Sequence, residues 1–194
     1  MFSVNIDKII DMTSTEADSY SDVLDKIYDD IKKDTRLIAV TGDGVTAFKL
    51  ASELMTCGKK ILFVDGNFDT DIFLGKYKLG KSLKGLAEYA RKEASFNELR
   101  CVTNRKDMDI VFSGMSDEHI YEEMSDIRQR LVKEAEQYDL IVAWSDEQGE
   151  MARCCDETIV VIDAEIYNDD SAMQRIVELE KQGCNVLGVI INEK

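Results

Sequence analysis

Six short apolar runs separated by helical patterns constrain the fold more than any other feature of this chain. The runs are 37–40 (LIAV), 61–64 (ILFV), 109–112 (DIVF), 139–143 (DLIVA), 158–162 (TIVVI) and 186–191 (VLGVII). Each is almost continuously apolar and does not alternate, as strands covered on both faces should be. Residues 46–57, 82–94, 118–137 and 169–182 between them carry helical spacing. Strands alternating with helices predict a parallel sheet wrapped on both faces, an α/β domain. Ahead of the first run, Val23, Leu24, Ile27 and Ile31 form one helical stripe. The expectation is one globular unit: an N-terminal helical extension over 1–34 and an α/β domain over 35–194.

Length and charge narrow the function classes. At 194 residues the chain can bury a sizeable core as a single domain. No apolar run approaches the roughly 20 residues that span a bilayer, and the N-terminus lacks the pattern of an export signal. A cytoplasmic protein without direct membrane insertion is expected. The five cysteines form no CxxC pair and His119 is the single histidine, which argues against zinc. A formal net charge of −15 repels nucleic acid and anionic headgroups. It also demands local basic groups around any polyanionic ligand. Proline is absent, where average usage would give roughly ten.

Open parallel sheets bind ligands beyond the carboxyl ends of their strands. In this chain those positions are Thr41–Thr46, Asp65–Asp71, Trp144–Glu150, Asp163–Asp170 and Asn192. Residues 37–49, LIAVTGDGVTAFK, run from strand through glycines to helix, the outline of a phosphate-binding loop. Such a loop needs backbone N–H groups around the phosphate, a lysine on the terminal phosphates and a hydroxyl on Mg²⁺. Gly42, Gly44 and Thr46 stand in place, but the lysine position is Val45, and Asp43 brings negative charge where a phosphate belongs. Lys49 lies one turn further along the helix.

The stretches GKKILFVDGN (58–67), EQYDLIVAW (136–144), DETIVVIDA (156–164) and QGCNVLGVIINEK (182–194) follow one another at intervals that resemble the bacterial tyrosine kinases of capsule and exopolysaccharide assembly, the BY-kinases. These belong to the MinD/ParA group of deviant-Walker P-loop ATPases. The resemblance implies a P-loop-NTPase-like parallel sheet flanked by helices. It also implies ATP and magnesium binding, a membrane-embedded chain-length regulator as partner, and phosphorylation of a C-terminal tyrosine cluster.

Site by site, the resemblance is incomplete. The loop after the first strand is shorter than the family's. Asp65 keeps one carboxylate of the family's aspartate pair, the second position being Asn67, and the basic pair after it is Asp69 and Thr70. Trp144 takes the place of the aspartate that orders magnesium; an indole donates one N–H and accepts nothing. Ser145-Asp146-Glu147 replaces the threonine-proline-proline that follows. The glutamate and two arginines that close the family's ring match Asp18, Ser21 and Leu24, and no tyrosine cluster follows the last run. Asn192, at the family's adenine contact, is retained. The family's prolines sit mostly in these altered loops, which accounts for their absence. The resemblance therefore implies no working catalytic residue, with Asp65 as a vestigial candidate. It leaves vestigial cofactor contacts at Gly42, Gly44, Thr46 and Asn192, and vestigial metal positions at Thr46 and Asp65. No resident cofactor is expected, Mg-ATP being required only if the chain is an active kinase or MinD-like ATPase.

A second segment, Gly75–Ser82 (GKYKLGKS), matches the Walker A spacing literally, yet no strand leads into it. It reads as an exposed lysine-rich loop. His119 reads as a surface group, and Tyr121, Met124 and Ile127 as packing positions. Asp43, Asp65, Asp69, Asp71, Asp146, Glu147, Glu150, Asp163 and Glu165 all fall on loops at the carboxyl ends of strands and predict a negative face. Membrane proteins carry Lys/Arg-rich cytoplasmic tails. Such a tail, from a polysaccharide chain-length regulator, is the expected protein partner, met by Asp146, Glu147 and Glu150 and drawing the protein to the inner membrane face. The readings are thus an interaction module, an active ATP-dependent enzyme, or a sensor of an uncharged or cationic small ligand.

Overall fold

The computed structural model describes residues 3–7, 11–30, 34–70, 83–115, 120–165 and 167–193. Its strands are β1 (Ser3–Val4), β2 (Leu37–Thr41), β3 (Ile61–Gly66), β4 (Arg100–Thr103), β5 (Met108–Val111), β6 (Leu140–Ser145), β7 (Glu157–Asp163) and β8 (Val186–Asn192). They form one eight-stranded sheet in the order β1-β4-β5-β3-β6-β2-β7-β8. All six expected strands are present and run parallel to one another. The two unforeseen strands lie at one end, where β4 pairs antiparallel with β5 and β1 runs parallel to β4.

β2, β3 and β6 are buried at every position, which is why they read as unbroken apolar runs. On one face Ile38, Val40, Phe63, Val142 and Trp144 pack with Ala47, Phe48 and Leu50 of helix α2 (Gly44–Thr56). Phe48 meets Phe63 edge to face, ring centroids 4.8 Å apart. On the other face Leu37, Leu62, Val64 and Ile141 pack with Leu86, Leu131 and Tyr138. Each such side chain fully buried contributes roughly 1.5–3 kcal/mol.

Two of the expected helices are broken. In place of 82–94 stand α3 (Leu86–Ala90) and α4 (Phe96–Leu99). Lys92 takes a left-handed φ of 64° and ends the first, and Ser95 with Glu98 caps the second. In place of 118–137 stand a 3₁₀ turn (Ile120–Met124) and α5 (Ile127–Glu134).

The N-terminal segment supplies β1 as well as helix α1 (Ser14–Asp30), which packs on α2. Leu24, a position of the expected ring motif, is buried in the core. Lys49 reaches back 2.9 Å to Glu16, tying α2 to α1 and away from the loop at its head. The last helix, α6 (Asp169–Lys181), covers β7 and β8. Among the described residues no helix is long and apolar enough to cross a membrane.

Candidate functional site

The carboxyl ends of β2, β3, β6 and β7 converge on the turn between β2 and α2. Gly42 there has a φ of 98°, and a Cβ would stand 2.3 Å from the Val161 carbonyl oxygen, so glycine is required twice over. Gly44 opens α2 against the flat of Trp144; a Cβ would lie 2.7 Å from two indole carbons. The indole is 2% exposed, and its N–H donates to the Gly42 carbonyl at 2.8 Å. Trp144 thus fills the space beneath the turn and holds the loop's carbonyl inward.

At the head of α2, Asp43 is the N-cap. Its Oδ2 accepts from the Thr46 backbone N–H and from the Thr46 hydroxyl, both at 2.7 Å. A carboxylate is favoured at this end of a helix by the free N–H groups and by the macrodipole. Thr46 Oγ1 in turn accepts from Asn192 Nδ2 at 3.0 Å. The structure therefore brings Gly42, Gly44, Thr46 and Asn192 into one place, and Asp43 satisfies the donors of Thr46 from within the chain. Asp43-x-x-Thr46 before a helix is a legible cap signal; read only as a misplaced charge, it hid this role.

A cavity of about 510 Å³ opens beside the turn. Asp43, Asp69, Glu147 and Asp163 supply four carboxylates to its lining, and among the described residues no lysine or arginine lines it. Asp163 also accepts from the Glu165 N–H at 3.0 Å. Among the described residues no cluster of His, Cys, Asp or Glu could hold a metal ion.

Asp65, at the end of β3, is fully buried, and neither carboxylate oxygen closes a well-formed hydrogen bond. The Ser113 hydroxyl is likewise buried without a well-formed hydrogen bond. Burial pushes the Asp65 carboxyl up to about 7, a rise opposed by the Asn67 and Ser113 N–H groups and the Ser113 hydroxyl nearby.

The expected partner face needs correction. Asp146 is 1% exposed: its carboxylate turns inward to accept from the Glu150 N–H at 3.2 Å and faces the Tyr121 hydroxyl at 3.5 Å. It closes the loop after β6 and is not a rim charge. Glu150 is half-buried and paired with Arg153, which leaves Glu147 as the exposed member of the trio. Asp71, His119 and Gly75–Ser82 lie outside the described residues. Met124 and Ile127 are buried and Tyr121 packs edge to face on Phe68, as expected of packing positions. Burial raises the thiols of Cys154 and Cys155, so neither is primed as a nucleophile.

No family model matches the chain. It is 23% identical over 179 residues to the tyrosine-protein kinase CpsD of Streptococcus agalactiae serotype III, covering 83% of this chain and 75% of that one. The kinase domain of the Escherichia coli tyrosine kinase ETK superposes with a TM-score of 0.80 at 18% identity, over 91% of this chain and 75% of that one. MinD from Pyrococcus horikoshii, solved with Mg-ADP, superposes with a TM-score of 0.61 at 22% identity, over 81% and 70%. The chain is homologous to the CpsD tyrosine kinases, and its fold is that of BY-kinase domains and MinD-type P-loop ATPases.

Proposed function

We propose that this BY-kinase homologue has lost phosphoryl transfer and acts by binding a protein partner in capsule or exopolysaccharide assembly. The observation that carries the reading is the bonding at the β2–α2 turn. Where the relatives' fold would present free N–H groups to a phosphate, Asp43 already accepts from Thr46. Where an aspartate would order magnesium, the Trp144 indole holds the Gly42 carbonyl. Among the described residues the cavity alongside offers a triphosphate carboxylates and no basic side chain. These residues do not fit Mg-ATP, and no reaction step through it is derived.

The same lining favours a positively charged visitor. Asp43, Asp69, Glu147 and Asp163 suit a Lys/Arg-rich segment, such as the cytoplasmic tail of a membrane chain-length regulator, which would recruit the protein to the membrane's inner face. Exposed charge pairs of this kind contribute only a few tenths to about 1 kcal/mol each and act mainly on association rate.

Homology to named tyrosine kinases favours the competing reading, an active ATP-dependent autokinase or ATPase. Calorimetry separates the two. Mg-ATP should give no measurable heat of binding, and a low-micromolar Kd would overturn the proposal. A Lys/Arg-rich peptide should bind at low salt and weaken steeply as salt rises; binding indifferent to salt would remove the acidic cavity from the account.

A further inference from the structure

One cation of this acidic chain has nothing to hold. Seven of the eight arginines bond to a carboxylate or a backbone carbonyl. The eighth, Arg175 in the second turn of α6, makes no hydrogen bond or ion pair to any described residue. It is left so in a chain with 39 acidic residues to choose from. An unpaired arginine in open water would mean little. Arg175 is half-buried, and it lines a hollow of about 230 Å³ between α6 and the carboxyl ends of β2 and β7.

The walls of the hollow show what could enter it. Thr41 pairs with Val160 and stands two residues beyond Ala39, so it lies on the sheet face that α6 covers. Thr41 is 1% exposed, and its buried hydroxyl closes no well-formed hydrogen bond. Such a hydroxyl is a donor still to be used. Ser171, one turn before Arg175, is already committed: its hydroxyl donates to the Asn168 carbonyl and its N–H to the Asn168 side chain. Glu147 lines the hollow too, without pairing to Arg175. A guanidinium fork matches the two oxygens and single charge of a carboxylate. A doubly charged phosphate would set its second charge against Glu147.

The hollow adjoins the acidic cavity, for Gly42, Glu147 and Val161 line both. The cleft therefore carries four carboxylates at one end and a lone guanidinium at the other. We propose that Arg175 takes the carboxylate of a ligand whose cationic groups lie in the acidic cavity. Two sources share that chemistry, the free C-terminus of a Lys/Arg-rich segment and a free basic amino acid. The proposal rests on the reading of the acidic cavity given above, and adds which end of the ligand Arg175 receives.

Calorimetry at low salt tests it, with a Lys/Arg-rich peptide free of Asp and Glu, made as the C-terminal acid and as the C-terminal amide. The amide is the more positive, so an acidic cavity alone would favour it. With Arg175 engaged, the acid should instead bind tighter, on the order of tenfold. Arg175→Gln should abolish that preference without weakening the amide, whereas loss of a merely structural arginine would weaken both. Arg175→Lys keeps the charge but not the fork and should restore part of the preference. L-Arginine against argininamide distinguishes the sources: a preference there assigns the hollow to free amino acids, and one confined to the peptide assigns it to a chain end. If acid and amide bind alike and weaken alike with salt, the role of Arg175 is overturned while the acidic cavity stands. A preference that survives Arg175→Gln overturns that role as well, and silence from all four ligands overturns both.

Discussion

Two regions of the same sheet edge, the ends of β2 and β3, stand one strand apart, because β6 runs between them. At the end of β2 the polar groups close on one another: Asp43 with Thr46, Thr46 with Asn192, Trp144 with the loop carbonyl. At the end of β3, Asp65 and Ser113 are equally buried and close on nothing well formed. The family resemblance implies that both regions belong to one phosphate and magnesium site. On the function proposed above, the first is such a site now filled by the protein's own acceptors, and the second keeps one of its carboxyls. Refilling turns a binding site into structure, whereas a retained buried acid is a liability that the rest of the fold must carry.

If the β2 region has become structure, removing its filler must unfold the protein. Trp144→Ala deletes a buried indole that packs against Gly44 and bonds to Gly42. Large-to-small changes of this kind lose about 3 to 5 kcal/mol. Urea denaturation should report a loss in that range. A loss below about 1 kcal/mol, the net worth of a single hydrogen bond, would mean the indole is a bystander and the two regions are alike after all.

The sequence made the strands of the closed region legible and hid most of its bonding. Strands buried on both faces must be apolar without interruption, so β2, β3 and β6 could be read directly. β4 could not: Arg100–Thr103 is half-polar and pairs antiparallel near the sheet's end, so its four residues resemble a loop. The glycines, Thr46, Asn192 and the space-filling Trp144 were placed by pattern. Whether an acidic loop residue faces water or the interior depends on partners distant in sequence. Asp146 turns inward because Tyr121 and the loop to Glu150 meet it there. Asp65 is buried because β5 and β6 flank it on both sides. Neither fact has a local signature.

The β3 region makes the opposite prediction, improvement on mutation, and its sign depends on pH. Unfolded, the Asp65 carboxyl titrates at an ordinary 3.8; folded, it titrates at about 7. Between those values the native state holds a proton that the unfolded chain has released. The stability it contributes is complete below pH 3.8, is lost as pH rises through about 7, and levels off above that. Asp65→Asn keeps the shape and removes the titration. Relative to that variant, the native chain should lose on the order of 3 kcal/mol between pH 5 and pH 8. Denaturation at the two pH values measures it, and parallel pH profiles for the two proteins would show that Asp65 is solvated after all.

The smallest effect separates charge from hydrogen bonding within the closed region. Asp43→Ala removes the acceptor for both the Thr46 N–H and the Thr46 hydroxyl, while the donation from Asn192 to Thr46 remains. Losing an N-cap of this type lowers stability by about 1 kcal/mol. Asp43→Asn keeps an oxygen in the same place and is as good a cap, so it should stay within a few tenths of the native value. What Asn does lose is the negative charge at the mouth of the cavity. If Asp43 is there as structure, Ala and Asn should differ in urea midpoint while binding a Lys/Arg-rich peptide almost equally, since Asp69, Glu147 and Asp163 remain. If it is there chiefly as charge, the two variants should weaken that binding together and be nearly equal in stability. The second pattern would erase the contrast between a region that has closed on itself and one that has not.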